Sequence, residues 1–317
     1  MLIAFEGVDL AGKSTAAGVL RAWLESHRDM VLPLHFSQPQ QHPLAEYELT
    51  IDDAQKPPFD HVITDRLHWG ECVYPQLYRN DPGLSPESWW HLEQFFRSRG
   101  GITIHVTASL EELLTRYDSR GEDYLQGEDV GRARKMFLDI AANAPSLTHT
   151  IDTTLPKERQ VTPTAVIAAA RRRQALTEDA LSITRSYVGP HAPDVLLIGD
   201  APNVNDPTYP QHLAAFPPYA NSSGSYLIRA VLGMRRYNPW NVGIVNAFER
   251  DGSPVDLRAL ISAFSMYHVP RIVALGKKAQ VATKKTGVFA SAIAHPQYWR
   301  RFHHDAIADY TRLLESM

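Results

Sequence analysis

The stretch LIAFEGVDLAGKST, Leu2 to Thr15, constrains this chain more than any other. Leu2-Ile3-Ala4-Phe5 predicts a buried strand, and Gly7 to Ser14 has the spacing G-x-x-x-x-G-K-[ST] before a helical pattern that begins near Ser14. Glycines at such positions let backbone N–H groups curl around an anion. Lys13 would reach the β- and γ-phosphates of a nucleoside triphosphate, and Ser14 would place its hydroxyl on Mg²⁺. The following helix N-terminus adds favourable dipole charge. The competing reading is a glycine-containing surface turn with a solvated lysine.

With 317 residues the chain is long enough for two domains. One cysteine, Cys72, excludes an intrachain disulfide and any all-cysteine metal or iron–sulfur site. No apolar run reaches membrane-spanning length, and a strand stands at the N-terminus where a leader would be charged, so no membrane association and a cytoplasmic location are expected. Up to residue 180 there are 18 Lys/Arg against 26 Asp/Glu, a balance of −8; beyond it, 14 against 9 give +5. That mildly basic second half permits nucleic-acid contact, although a solvated surface looks the same.

Past the phosphate loop, Ser14 to His27 reads as a helix with Val19, Leu20, Trp23 and Leu24 on its apolar face. Met30 to Phe36 reads as a strand, and His61-Val62-Ile63-Thr64 as another that ends in Asp65-Arg66. Ligands of parallel sheets bind at the carboxyl ends of strands, where this acid could hold Mg²⁺ and this base a second phosphate. A structural ion pair is the alternative. Pro86 to Arg99 reads as a helix whose tryptophans and phenylalanines serve a core. Ile102 to Val106 is a strand, and Ser109 starts a helix carrying Arg116 and Arg120 one turn apart. Gly121 to Asp129 suits a lid. A helix from Val130, a strand at His149 to Asp152 and a helix from Val161 to Arg173 follow. Strands alternating with helices imply a parallel sheet covered on both faces.

On Phe5-Glu6-Gly7-x-Asp9-x-x-Gly12-Lys13-Ser14-Thr15, Asp65-Arg66, the Arg116/Arg120 helix and Ile151-Asp152, the first 170 or so residues resemble the thymidylate kinase family of P-loop nucleotide kinases. That resemblance implies transfer of the γ-phosphoryl of ATP to a deoxynucleoside monophosphate. Gly7, Asp9, Gly12, Lys13, Ser14 and Thr15 would form the nucleotide-binding set, with Asp9 also facing the acceptor's sugar. Arg66 would bind the acceptor's phosphate, Arg116 or Arg120 the transferring group, and Ser14 and Asp65 the metal. It also implies a homodimer. Two positions depart from the family: Glu122-Asp123-Tyr124 stands where an Asp-Arg pair is usual in the lid, and Gly70 replaces a serine in the acceptor segment.

Residues 176–190 read as a linker between a first domain at 1–175 and a second at 191–317. Asp194 to Ile198 is a new strand leading into Gly199-Asp200-Ala201-Pro202-Asn203, and Val242 to Asn246 and Ile272 to Leu275 are two more. Tyr219 follows a proline before the helix Ser225 to Leu232, and a last strand runs into His295-Pro296. This order resembles the uracil-DNA glycosylase superfamily. The resemblance implies a three-layer α/β fold in which Asp200 handles water, Tyr219 stacks on a base, Asn246 reads its edge and His295 stabilises the departing base. Lys277, Lys278, Arg300 and Arg301 would contact DNA phosphates. Asp200 replaces the more usual Glu, and the cysteines that hold an iron–sulfur cluster in one branch are absent.

The leading expectation is therefore an ATP- and Mg²⁺-dependent kinase acting on a pyrimidine deoxynucleotide, with a base-recognition domain appended. Three alternatives stay open. The acceptor would be a modified pyrimidine such as hydroxymethyluracil in DNA; the second domain would excise uracil beside an accessory P-loop domain; or both pockets would bind without turnover.

Overall fold

The computed structural model describes every residue except 37–42, 55, 121–125, 202–214, 219–221 and 250, together with the side chains of Leu176, Asp179 and Leu181. Tyr219, Pro202, Asn203 and the lid residues Glu122, Asp123 and Tyr124 therefore lie outside the described residues. The chain divides into two compact units, Met1–Ser85 with Arg99–Ala175, and Pro86–Ser98 with Leu176–Met317. Each holds a parallel sheet with helices around it.

In the first unit the elements are β1 (Leu2–Glu6), α1 (Lys13–Ser26), β2 (Val31–His35), α2 (Pro43–Asp53), β3 (His61–Asp65) and α3 (Gly70–Tyr74). After α4 (Pro86–Ser98), which packs in the second unit, come β4 (Ile102–Thr107), α5 (Leu110–Arg120), α6 (Gly127–Asn143), β5 (Leu147–Asp152) and α7 (Pro163–Ile183). The sheet order is β2-β3-β1-β4-β5, all parallel. β1 lies at the centre with all five residues buried, which suits the apolar run of its first four residues. The chain turns to one side of β1 for β2 and β3 and to the other for β4 and β5. That reversal opens a crevice at the carboxyl end of β1, where the phosphate loop begins.

Helix α1 buries Ala17, Leu20 and Leu24, while Val19 is 56% exposed, so the buried stripe is narrower than its apolar residues suggest. Ser109 accepts a hydrogen bond from the Glu112 N–H (3.2 Å) at the start of α5, as its position predicts. Helix α7 does not stop at Arg173 but continues to Ile183, and beyond it Tyr187 and Val188 are buried. Residues 176–190 are thus helix and packed chain.

The second unit adds β6 (Val195–Gly199), α8 (Ser223–Leu232), β7 (Val242–Asn246), α9 (Leu257–Ser265), β8 (Arg271–Leu275), α10 (Lys277–Lys285), β9 (Ser291–Ile293), α11 (Pro296–Phe302) and α12 (Ile307–Ser316). Its order is β7-β6-β8-β9, again all parallel, with the reversal at β6. Helix α4 belongs to this core. Trp90 is buried with Leu197, Leu227 and Ile244, and Gln94 Nε2 donates to the carbonyls of Trp240 and Val242, both at 3.2 Å.

Candidate functional site

The phosphate loop takes its shape from its glycines. Gly7 has φ +145°, and a Cβ there would lie 2.0 Å from the Val106 carbonyl oxygen, so no other residue fits beside β4. Gly12, at φ +94°, turns the chain into α1. Lys13 is buried and its Nζ donates to the Val8 carbonyl (3.0 Å) and to Asp9 Oδ1 (3.1 Å). Arg66 Nη2 donates to the same Asp9 oxygen at 2.7 Å. Burial would push the Asp9 carboxyl up, but Lys13, Arg66 and the bonds from Lys13 and Tyr74 outweigh it and hold the pKa below its ordinary value. Two cations share one carboxylate, which leaves this trio a net positive charge.

Beside it, Ser14 Oγ donates to Asp65 Oδ2 at 2.6 Å, and His35 Nδ1 is 3.3 Å from that oxygen. Asp65 Oδ1 is buried without a hydrogen-bond partner among the described residues. A hydroxyl, a carboxylate and an orphaned carboxylate oxygen are the hard donors that Mg²⁺ takes, and a Mg²⁺ bound to substrate phosphates needs only one or two protein ligands. No group of three or more His, Cys, Asp or Glu side chains is placed to hold a metal among the described residues.

Arg66 follows β3 in the left-handed region, at φ +70°. Its N–H donates to the Phe5 carbonyl (2.9 Å), and Glu6 Oε1 accepts from the N–H groups of Leu67 (3.1 Å) and Trp69 (2.8 Å). The guanidinium lies 5.9 Å from the centre of the Tyr74 ring, whose hydroxyl accepts from the Asp9 N–H at 3.1 Å. Burial pushes the Glu6 carboxyl up to about 7, against the opposing pull of His68, Lys13 and the two backbone bonds. A carboxyl raised in this way keeps its proton in the fold where the unfolded chain has lost it. Its contribution to stability therefore falls as pH rises from about 4.5 to about 7. Glu6→Gln removes that slope. Denaturant unfolding at a series of pH values should show the variant gaining on the wild type toward pH 8, by on the order of 2–3 kcal/mol; a pH-independent difference would refute the assignment.

Arg116 is laced to the loop and to the segment after β5. Its Nη1 donates to the Leu10 carbonyl (2.9 Å) and Thr153 Oγ1 (3.0 Å), and its Nε pairs with Glu112 at 2.8 Å. Arg116, Arg120, Gly12 and Thr15 line a cavity of about 530 Å³ whose other walls include Val19 and Val161. The structure thus brings Lys13, Asp9 and Arg66 together, pairs Ser14 with Asp65, and sets Arg116, Arg120 and Thr15 around one cavity. Sequence reasoning gave Glu6, Tyr74 and Thr153 no role. The one available signal was a glutamate ending an otherwise apolar strand.

In the second unit, Asp200, Asn246 and His295 stand just past or at the ends of β6, β7 and β9. Asp200 Oδ1 accepts the Ala279 N–H at the start of α10 (2.8 Å), and a Cβ at Gly276 would touch both Asp200 oxygens (3.3 Å) and His295 Cβ (3.1 Å). His295 Nδ1 accepts the Gln297 N–H at 3.1 Å, so the neutral ring carries its proton on Nε2. Burial lowers the His295 pKa, against the opposing charge of Asp200, which keeps the ring neutral near pH 7. Phe216, at φ +51°, lies against Gly199, where a Cβ would meet its ring at 2.1 Å and Asn246 Oδ1 at 3.0 Å. The same ring is 5.5 Å from that of His295. The motif order marks Tyr219, which lies outside the described residues, and carries no signal for Phe216.

Parallel sheets with charged and polar residues gathered at their carboxyl ends define an α/β protein whose first unit is P-loop-like. No protein-family model matches the chain. A prophage-derived uncharacterised protein of Bacillus subtilis (strain 168), YorR, is 23% identical over 152 residues, which span 48% of this chain and 88% of YorR. The crystal structure of YorR in complex with phosphorylated GDP matches with a TM-score of 0.44 at 19% identity, covering 55% of this chain and 98% of that one. No described helix is long and apolar enough to cross a membrane.

Proposed function

We propose that the first unit transfers the γ-phosphoryl group of ATP to a deoxynucleoside monophosphate, with a pyrimidine base as the leading candidate. The observation that carries this reading is the trio in which the buried Asp9 Oδ1 holds the buried Lys13 at 3.1 Å and the partly buried Arg66 at 2.7 Å, beside the Ser14–Asp65 pair. Phosphoryl transfer rests on positioning and charge neutralisation, and this arrangement offers both. Lys13 would turn from the Val8 carbonyl to the β- and γ-phosphates, and Arg66 would take the acceptor's phosphate. Arg116 and Arg120 would face the charge that develops between them, with Gly7, Gly12 and Thr15 shaping the donor's seat. Ser14 and Asp65 would hold Mg²⁺, which when bound neutralises phosphate charge.

Labelled γ-phosphate from ATP, offered to each deoxynucleoside monophosphate and to DNA containing thymine, uracil or hydroxymethyluracil, tests the reading. Guanine nucleotides belong in the set because the relative YorR was crystallised with phosphorylated GDP. Label on a free monophosphate is the expected result. Label on DNA instead would make the acceptor a base in the polymer, and no label on any acceptor would end the kinase reading.

For the second unit the proposed reading is a nucleobase site of uracil-DNA glycosylase type. Its neutral His295 offers an Nε2–H, its ring lies 5.5 Å from that of Phe216, and Phe216 and Asn246 both pack at Gly199, a set that would hold a flat pyrimidine by stacking and edge hydrogen bonds. Incubation with uracil-containing DNA is expected to release free uracil, and His295→Ala to slow that release by about 10²-fold or more. Binding of the same DNA without release would leave the unit a base-recognition module.

A further inference from the structure

The left-handed Arg66 is not held by its own side chain alone. β1 grips the segment around it at three points: Phe5 O takes the Arg66 N–H at 2.9 Å, and Glu6 Oε1 takes those of Leu67 at 3.1 Å and Trp69 at 2.8 Å. Glu6 is 1% exposed, and its Oε2 is buried with no hydrogen-bond partner among the described residues. An ionisable group buried at such cost, with one oxygen committed to two backbone donors, is an expensive brace to keep unless the geometry it fixes matters. What it fixes is the turn from which the guanidinium reaches Asp9 Oδ1 at 2.7 Å, the oxygen shared with Lys13.

We propose that Glu6 is a positioning residue for acceptor recognition: by clamping the Leu67 and Trp69 N–H groups to the end of β1, it sets Arg66 for the acceptor's phosphate. This rests on the kinase reading of the first unit. The clamp ties the acceptor-binding arginine to the strand from which the phosphate loop springs, so both phosphate seats share one rigid base. Glu6 touches neither substrate in this account and acts through Arg66.

Two conservative variants separate reach from charge. Glu6→Asp keeps the carboxyl but is one methylene too short to bridge both N–H groups; Glu6→Gln loses the ionisable group but keeps an oxygen at the same reach. The measurements are calorimetric titrations of the full chain with dTMP and dGMP, beside fluorescence titration with the ATP analogue MANT-ATP as the donor-side control. Glu6→Asp is expected to weaken monophosphate binding by about tenfold while leaving MANT-ATP affinity within twofold, and Glu6→Gln to restore monophosphate binding. Unchanged monophosphate affinity in Glu6→Asp overturns the inference. So does equal weakening of both ligands, as expected of a merely structural brace, and so does a Glu6→Gln no better than Glu6→Asp. A wild-type chain that binds MANT-ATP but neither monophosphate overturns the acceptor reading itself, a result distinguishable from all of these.

Discussion

An alanine at Lys13 is expected to lower γ-phosphoryl transfer by about 10³-fold at saturating ATP. Lys13 is 5% exposed and hydrogen-bonded twice to the loop that would wrap the phosphates, so its charge acts in a site poor in water. A preorganised donor in such a site is worth more than one in solvent, because nothing must reorganise as negative charge moves to the bridging oxygen. The substitution also leaves Asp9 with Arg66 as its one cationic partner among the described residues, so some stability is lost too. Circular dichroism melts of the variant separate that loss from catalysis. A folded Lys13→Ala chain that retains turnover within tenfold of wild type would show that this loop is not the donor site.

Much of this loop was legible in the sequence because its constraints are local. Gly7 and Gly12 are demanded by backbone geometry within a few residues, and Asp65-Arg66 announce themselves by ending an apolar strand. The clamp on Arg66 was not legible, since Glu6 and its two donors lie 61 and 63 positions apart and nothing in composition pairs them. Arg116 was found as a helix residue, yet its bond to the Leu10 carbonyl spans 106 positions. For helix α7, Arg171-Arg172-Arg173 looks like a basic end in the sequence. Arginine is in fact a good helix former, and the helix runs on through Ala175 to Ile183. In the second unit Phe216 carries no sequence signal, since only the folded chain brings it to Gly199, Asn246 and His295. The apolar pattern from Pro86 to Arg99 likewise marks a core helix. It carries no information about which core.

That helix supplies the largest expected effect on stability. Trp90→Ala should cost about 3–5 kcal/mol in the second unit, although the residue lies in sequence between two strands of the first. Its ring is fully buried among Leu197, Leu227, Ile244 and Tyr226 and stacks on Trp240 with centroids 6.2 Å apart. Its Nε1–H donates to the Pro239 carbonyl at 3.2 Å, so truncation opens a cavity and also removes a donor from a partly buried acceptor. Trp89, one position earlier, is the control. It meets Trp240 edge-on at 5.3 Å but is only partly buried, and Trp89→Ala should cost about 1 kcal/mol. Denaturant unfolding of the full chain, followed by a probe in the second unit, distinguishes the two. If Trp90→Ala costs no more than Trp89→Ala, α4 is a peripheral helix. If it costs several-fold more, residues 191–317 lack part of their own core when expressed alone, and that fragment should recover its fold only when residues 86–98 are supplied with it.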